Sequence, residues 1–127
     1  MTYQPLTFTL TRADLVRYAG ASGDFNPIHW SDRVAGSVGL PGVIAHGMLT
    51  LGLVASAVAT WTDDAEVVEL GGKFTSPVVV PDDETGASVE VAAKSVTTDG
   101  DTTTIAIEVS CDGKRVLGNP KAVVRLR

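Results

Sequence analysis

The longest apolar run of the chain is Gly47 to Trp61, which reads GMLTLGLVASAVATW. It is shorter than the roughly 20 residues that a helix needs to cross a bilayer, and Thr50, Ser56 and Thr60 interrupt it. Apolar side chains on nearly every face are typical of a buried helix. The run therefore predicts a helix inside a globular protein, and the rest of the chain has to supply the layer that covers it.

Strand-forming sequence follows this helix. Two pairs, Asp99-Gly100 and Asp112-Gly113, lie between runs rich in β-formers, and such pairs are typical of tight hairpin turns. Residues 102–111 alternate between polar and apolar, which is the pattern of a half-buried strand. We therefore predict an antiparallel meander of about four strands, in which residues 81–84 form a solvated turn. The predicted strands are residues 67–80, bent at Pro77, and then residues 87–97, 102–111 and 116–126.

Before the apolar run, the chain predicts one strand and two short helices. Leu6 to Leu10 is the strand, and a capping box from Thr11 to Asp14 begins a helix that continues to about Ala21. A second capped stretch begins at Ser31, and glycines and a proline break the chain over residues 36–42. This order predicts an α+β fold in which an antiparallel sheet wraps around one long helix.

Composition narrows the class of protein. At 127 residues we expect one domain, residues 1–127, and a net charge of −5 argues against a nucleic-acid partner. The single cysteine, Cys111, cannot form an internal disulfide, and residues 1–10 lack a signal-peptide pattern, so we expect a cytoplasmic protein. Two histidines and one cysteine have no zinc-site spacing, so we expect no metal. A small-molecule enzyme, a carrier and half of a larger assembly stay open.

Residues 22–29, SGDFNPIH, have two interpretations. Asp and Asn side chains bond local backbone and Pro27 favours a turn, so the segment could serve structure alone. Pro27 also interrupts a regular helix, and a rigid turn can bring the Asp24 carboxylate and the His29 imidazole into one cleft. Paired acid–base chemistry requires two such groups. The spacing by itself leaves both interpretations open.

Residues 44–48, IAHGM, lead into the apolar helix. The N-terminus of a helix presents unpaired N–H groups and the positive end of its dipole, which suits a developing oxyanion. Gly47 lets a ligand approach its amide closely. The alternative is a plain passage from loop to helix, in which His46 packs or hydrogen-bonds locally.

Together, the segments YAGASGDFNPIHWSD (Tyr18–Asp32) and GLPGVIAHGMLT (Gly39–Thr50) resemble the MaoC-like hydratase/dehydratase family, which includes (R)-specific enoyl-thioester hydratases. The likeness extends over essentially the whole chain and is strongest to catalytic dehydratase subunits of actinobacterial type II fatty-acid synthesis. It implies a hot-dog fold, a long helix wrapped by an antiparallel sheet. It also implies a homodimer, or a heterodimer with a related hot-dog subunit, whose sheet is continuous.

The resemblance also implies roles for individual residues. Asp24 and His29 match the catalytic pair of the family, and Asn26 matches an amide that orients the turn or hydrogen-bonds in the site. Gly47 matches the residue whose backbone N–H binds the thioester carbonyl, and His46 joins it as an oxyanion or substrate-binding residue. Some hydratases carry a serine further along the helix, a role that is not assigned to Ser56 here.

The implied reaction is the reversible hydration of trans-2-enoyl thioesters to (3R)-3-hydroxyacyl thioesters. CoA or acyl carrier protein belongs to the substrate, and no cofactor is expected. His29 is our choice for the base and Asp24 for the group that returns a proton to C2, while the reverse assignment stays open. A hot-dog thioesterase, a non-catalytic partner subunit and an acyl carrier are the alternatives. Basic residues clustered at the site would favour acyl carrier protein, the candidates being Arg33, Lys73, Arg115 and Lys121.

Overall fold

The computed structural model of the protein describes residues 2–126, and its elements follow the predicted order closely. The elements are β1 (Leu6–Leu10), α1 (Arg12–Ser22), a 3₁₀ turn (Pro27–His29), α2 (Asp32–Ser37), α3 (Gly47–Thr62), β2 (Glu66–Phe74), β3 (Ala87–Asp99), β4 (Thr102–Cys111), β5 (Lys114–Arg115) and β6 (Leu117–Arg125). The predicted capping box is present, with Thr11 as N-cap and reciprocal hydrogen bonds to Asp14. No helix within residues 2–126 combines the length and the hydropathy that a membrane span requires.

The strands form one antiparallel sheet in the order β1-β3-β4-β6-β2, with β5 paired to β4. Both predicted hairpins are confirmed, since Asp99-Gly100 joins β3 to β4 and Asp112-Gly113 joins β4 to β5. Side chains of β4 alternate between half-buried and buried along its length, as predicted. These local features of the meander follow directly from the sequence.

The position of β2 differs from the prediction of a simple meander. β2 pairs with β6 at the edge of the sheet, and the strand predicted over residues 67–80 ends at Phe74. Residues 78–80 bond instead to the segment before α3, with Ala45 N–H donating to Val78 O and Val80 N–H to Val43 O. Pro77 has no N–H to continue a ladder, so the chain leaves the sheet here. The exposed residues 81–84 then form the predicted solvated turn.

The core lies between α3 and one face of the sheet. From α3 it receives Val54, Ala57, Val58 and Trp61, and from the strands Val89, Val91, Ile105, Ile107, Val109, Ala122 and Val124. The opposite side of α3 is exposed along a stripe at four-residue spacing, Met48, Gly52, Ser56 and Thr60. The prediction of a helix buried on nearly every face is therefore wrong for this stripe, because one sheet covers only one side of a helix.

Candidate active site

A short turn joins α1 to the 3₁₀ turn and carries the first candidate residues. Gly23 ends α1 in the left-handed conformation, with φ of 77°. The Asn26 side chain then caps the 3₁₀ turn by accepting the N–H of Ile28 at 3.2 Å. The backbone N–H of Asn26 donates to Oδ1 of Asp24, also at 3.2 Å. Asn26 thus hydrogen-bonds within the turn through both its side chain and its backbone.

His29 and Asp24 lie next to each other. The distance between Nε2 of His29 and Oδ2 of Asp24 is 3.8 Å, and the His29 side chain is buried whereas that of Asp24 is half exposed. Nδ1 of His29 lies 2.7 Å from the carbonyl oxygen of Ile44. Because a carbonyl only accepts, Nδ1 carries a proton, and in the neutral ring Nε2 is the free base that faces the carboxylate.

A cavity of about 330 Å³ adjoins His29, and its lining is mainly apolar and does not include Asp24 or Asn26. It is lined by His29, Ile44, Ala45, Gly47, Thr50, Phe74, Thr75, Ser76, Pro77, Val78, Val116 and Leu117. Gly47 is the first residue of α3, so its N–H has no acceptor within the helix. The cavity therefore brings an imidazole, a helix N-terminus and apolar walls together.

His46 lies beside the cavity rather than in its lining. It is the N-cap residue of α3, makes no side-chain cap hydrogen bond, and is buried. Its ring stacks on that of His29, with centroids 3.8 Å apart. Burial lowers the pKa of His46, because the charged ring would lose its hydration.

Asp24, His29 and His46 form a cluster of possible metal ligands that the sequence spacing did not predict. One ligand atom from each residue lies within 4.8 Å of the others. The two rings are stacked with an interplanar angle of 20°, so the nitrogen lone pairs lie in two nearly parallel planes and do not converge on one centre. Zinc sites need nitrogen donors that point at one centre. The donor set fits a metal poorly, and we assign none.

The four basic candidates do not form a basic rim on this cavity, since its lining contains none of them. Arg115 and Lys121 line a second cavity of about 190 Å³, and each is paired with a carboxylate. Arg115 Nε lies 2.7 Å from Glu108 Oε1, and Lys121 Nζ lies 3.3 Å from Glu69 Oε1.

The sequence analysis missed several residues of the cavity. Thr50 follows Gly47 by three positions on α3, so helical spacing alone could have indicated that it faces the same side. Phe74 and Leu117 are paired across β2 and β6, and only knowledge of that pairing reveals them. Ser56, which the resemblance left unassigned, is exposed and outside the lining.

An antiparallel sheet packed on one long helix, with a His–Asp pair near an apolar cavity at the start of that helix, defines the chain as a hot-dog protein. Comparisons with known proteins agree. The family model described as "MaoC like domain" matches residues 2–122. The chain belongs to this MaoC-like family.

Individual relatives resemble the chain over different lengths. It is 31% identical over 121 residues to the (R)-specific enoyl-CoA hydratase of Rhodospirillum rubrum, which covers 91% of this chain and 83% of the relative. It is 40% identical over 72 residues to 3-hydroxyacyl-thioester dehydratase X of Mycobacterium tuberculosis, which covers 57% of this chain and 25% of the relative. A solved structure of a MaoC-like dehydratase aligns with a TM-score of 0.87 at 35% identity, over 100% of this chain and 41% of that one. The chain thus spans a quarter of the dehydratase and about two-fifths of the solved chain.

Proposed function

We propose that this chain catalyses the reversible hydration of trans-2-enoyl thioesters to (3R)-3-hydroxyacyl thioesters in fatty-acid metabolism, as a hydro-lyase. The observation that carries the proposal is the 3.8 Å separation of His29 Nε2 and Asp24 Oδ2 beside a cavity that reaches the first amide of α3. The names of the relatives, a 3-hydroxyacyl-thioester dehydratase and an (R)-specific enoyl-CoA hydratase, support it.

The acid–base pair activates one water molecule. A water held between His29 and Asp24 gives a proton to Nε2 of His29 while its oxygen bonds to C3 of the substrate. The imidazolium passes this proton to the Asp24 carboxylate, and the resulting carboxyl delivers it to C2, so that the pair regains its starting state. Because the Ile44 carbonyl holds the proton of His29 on Nδ1, the neutral ring presents Nε2 as the base.

The helix N-terminus stabilises the charge that develops on the thioester oxygen. Addition at C3 moves electrons through the conjugated system to the carbonyl, which becomes enolate-like. The Gly47 N–H donates to this oxygen, a contact worth on the order of 3 kcal/mol for one well-placed donor. The acyl chain occupies the apolar cavity, and CoA or the phosphopantetheine of acyl carrier protein forms part of the substrate. The reaction as derived requires no metal or redox cofactor.

The test is incubation with trans-2-enoyl-CoAs of several lengths, following loss of the conjugated thioester and formation of the hydroxyacyl product. Asp24→Asn and His29→Ala should each slow turnover by about 10²- to 10⁴-fold. Asp82→Asn, in the exposed turn, is the matched control and should retain full activity. Release of free thiol without hydroxyacyl product would instead identify a thioesterase, and tight acyl binding without turnover would identify a carrier or a partner subunit.

We further propose that residues 1–127 act as one cytoplasmic domain that pairs with a second hot-dog subunit, either a copy of itself or a relative. Residues 1 and 127 lie outside the described part of the chain. The support for pairing is β2, an edge strand whose side chains Val67, Val68 and Phe74 are all exposed. A second sheet added at this edge would cover them.

A further inference from the structure

His46 contacts both members of the candidate acid–base pair although it does not line the cavity. Its ring lies face to face with that of His29, at an interplanar angle of 20°. Its Nε2 lies 3.1 Å from the backbone oxygen of Asp24. Tyr18 of α1 packs edge-on against the same ring, with centroids 4.7 Å apart. His46, at the start of α3, thus contacts both residues that are proposed to move protons, and Tyr18 of α1 packs against His46.

The hydrogen bond to Asp24 assigns the tautomer of His46. A carbonyl oxygen accepts, so Nε2 of His46 carries the proton and Nδ1 is the bare nitrogen. Nδ1 is buried without a hydrogen-bond partner among the described residues. An unpaired buried nitrogen is unfavourable, and a phenylalanine ring would fill the same space without it. As a packing group alone, the imidazole would be less favourable than a phenylalanine ring because its Nδ1 is unpaired. The hydrogen bond of its Nε2–H to the Asp24 carbonyl offsets this loss of stability.

The segment that His46 holds has few other long-range ties. Residues 23–26 have no regular secondary structure and are exposed. The hydrogen bonds of Asp24 within this turn are local: its N–H donates to Ser22 Oγ, and its carboxylate accepts from the Asn26 N–H. The His46 bond ties Asp24 to a residue 22 positions away, at the start of α3. It ties the Asp24 backbone to the residue that precedes Gly47, which lines the cavity.

The charge state of His46 matters because it stacks on the proposed base. Desolvation lowers the pKa of His46 first of all, and the positive charge of a protonated His29 lowers it further, while the Asp24 carbonyl and carboxylate raise it. Tyr18 packs against the His46 ring in an edge-on arrangement. A neutral His46 leaves His29 free to take up the water proton without a like charge 3.8 Å away.

We propose that His46 is a positioning residue: it orients the His29 ring by stacking and the Asp24 backbone through its Nε2–H. The proposal rests on the proposed hydratase function. It differs from the oxyanion or substrate-binding role suggested by the family resemblance, because the residue acts on the pair and not on the substrate. Losing it should lower kcat and leave KM nearly unchanged.

Two substitutions separate the two contacts. His46→Phe keeps the ring face and removes the donor, whereas His46→Gln keeps an N–H donor and removes the ring. We expect His46→Phe to lower kcat about 10- to 100-fold with KM changed less than about threefold, since small misplacements of catalytic groups have effects of that size. His46→Gln should recover part of this loss. Ser56→Ala, on the exposed side of α3, is the control and should behave as the wild type.

If KM rises in His46→Phe as much as kcat falls, His46 acts in substrate binding and the proposal is overturned. An unchanged kcat in His46→Phe would also overturn the proposal. A second readout does not depend on turnover. Nitrogen-15 NMR of the wild type, whose two histidines are easily told apart, should give His46 as a neutral Nε2–H ring that titrates at lower pH than a histidine in a short peptide. Order parameters of residues 23–26 should fall in His46→Phe. Unchanged order parameters, or a His46 that titrates like a free histidine, would overturn it even if the wild type hydrates no enoyl-CoA.

Discussion

Gly47 sets how closely a ligand can approach the first amide of α3. A Cβ built on Gly47 would lie 3.0 Å from two ring carbons of Phe74, a contact tighter than proteins normally allow. The Phe74 ring is more than half exposed, so it can move, but it lines the cavity and its displacement changes the space where the thioester is expected. The glycine is therefore needed for the shape of the cavity more than for the fold.

We predict that Gly47→Ala lowers kcat/KM for enoyl-CoA about tenfold or more, because displacement of groups around a reacting centre by a fraction of an ångström has effects of this order. Its thermal unfolding should stay close to that of the wild type. The matched control is Gly52→Ala on the same helix, where a Cβ meets nothing within 4 Å, and it should leave kcat/KM unchanged. Equal activity of the two variants would contradict this account of Gly47.

Gly86 is required by the fold itself. Its φ is +69°, and a Cβ there would lie 2.3 Å from the carbonyl oxygen of Leu10, the last residue of β1, which pairs with the first residue of β3. A left-handed backbone alone costs a non-glycine residue about 1–2 kcal/mol, and the clash with a main-chain atom adds to this. The position therefore combines two separate penalties.

We predict that Gly86→Ala lowers the free energy of unfolding by clearly more than Gly113→Ala, as measured by urea denaturation. Gly113 has a similar φ of +74° but open space around it, so its alanine variant reports the backbone penalty alone, about 1–2 kcal/mol. Equal losses of unfolding free energy in the two variants would show that the clash between a Cβ at position 86 and the Leu10 carbonyl does not destabilise the fold.

The first turn of α1 couples stability to pH. The pKa of Asp14 is lowered, chiefly by the hydrogen bond that its carboxylate accepts from the backbone N–H of Thr11 at 2.8 Å, with further contributions from Arg17. A carboxyl whose pKa is lower in the folded state stabilises the protein at pH values above its unfolded pKa of about 3.9. This contribution is lost as the pH falls through the lower pKa of the folded state.

We predict that the wild type loses part of its stability below about pH 4 through Asp14, and that Asp14→Asn lacks this part because the amide does not titrate. Unfolding free energies measured at neutral and acidic pH test this, and the difference between the two proteins should shrink in acid. Asp82→Asn, with its exposed side chain, serves as the matched control. A constant difference across the pH range would contradict the role of the cap.

At the scale of the whole molecule, we predict that two copies of the chain pair through the edge strand β2. Val68 on this edge strand is 46% exposed, and a charged side chain there would oppose the addition of a second sheet. We expect Val68→Lys to have half the mass of the wild type in sedimentation, and to hydrate enoyl-CoA more slowly if the partner covers the half-exposed Asp24. Val16→Lys, an equal change on α1, should retain the larger mass. A wild type that is monomeric and fully active would contradict pairing.

Much of the site follows from the local sequence. The Asp24–His29 turn depends on Gly23, Asn26 and Pro27, whose conformational preferences act within a few residues, so the proximity of carboxylate and imidazole was predictable in outline. The start of α3 at Gly47 was predictable for the same reason. The proton position on His29 was not, because it depends on the Ile44 carbonyl, which the fold brings to Nδ1 from 15 residues away.

The sequence by itself determined the helices, the two Asp-Gly hairpins and the turn that carries Asp24 and His29, since propensity, capping and turn chemistry are local properties. Only the tertiary structure decided that β2 pairs with β6, that Phe74 and Leu117 meet in the cavity wall, and that His46 stacks on His29. These contacts join segments far apart in the chain, and burial against α3 selects among pairings that local preferences leave equally possible. The one long apolar helix is thus a sequence property, whereas the cavity at its start is a property of how the sheet closes over it.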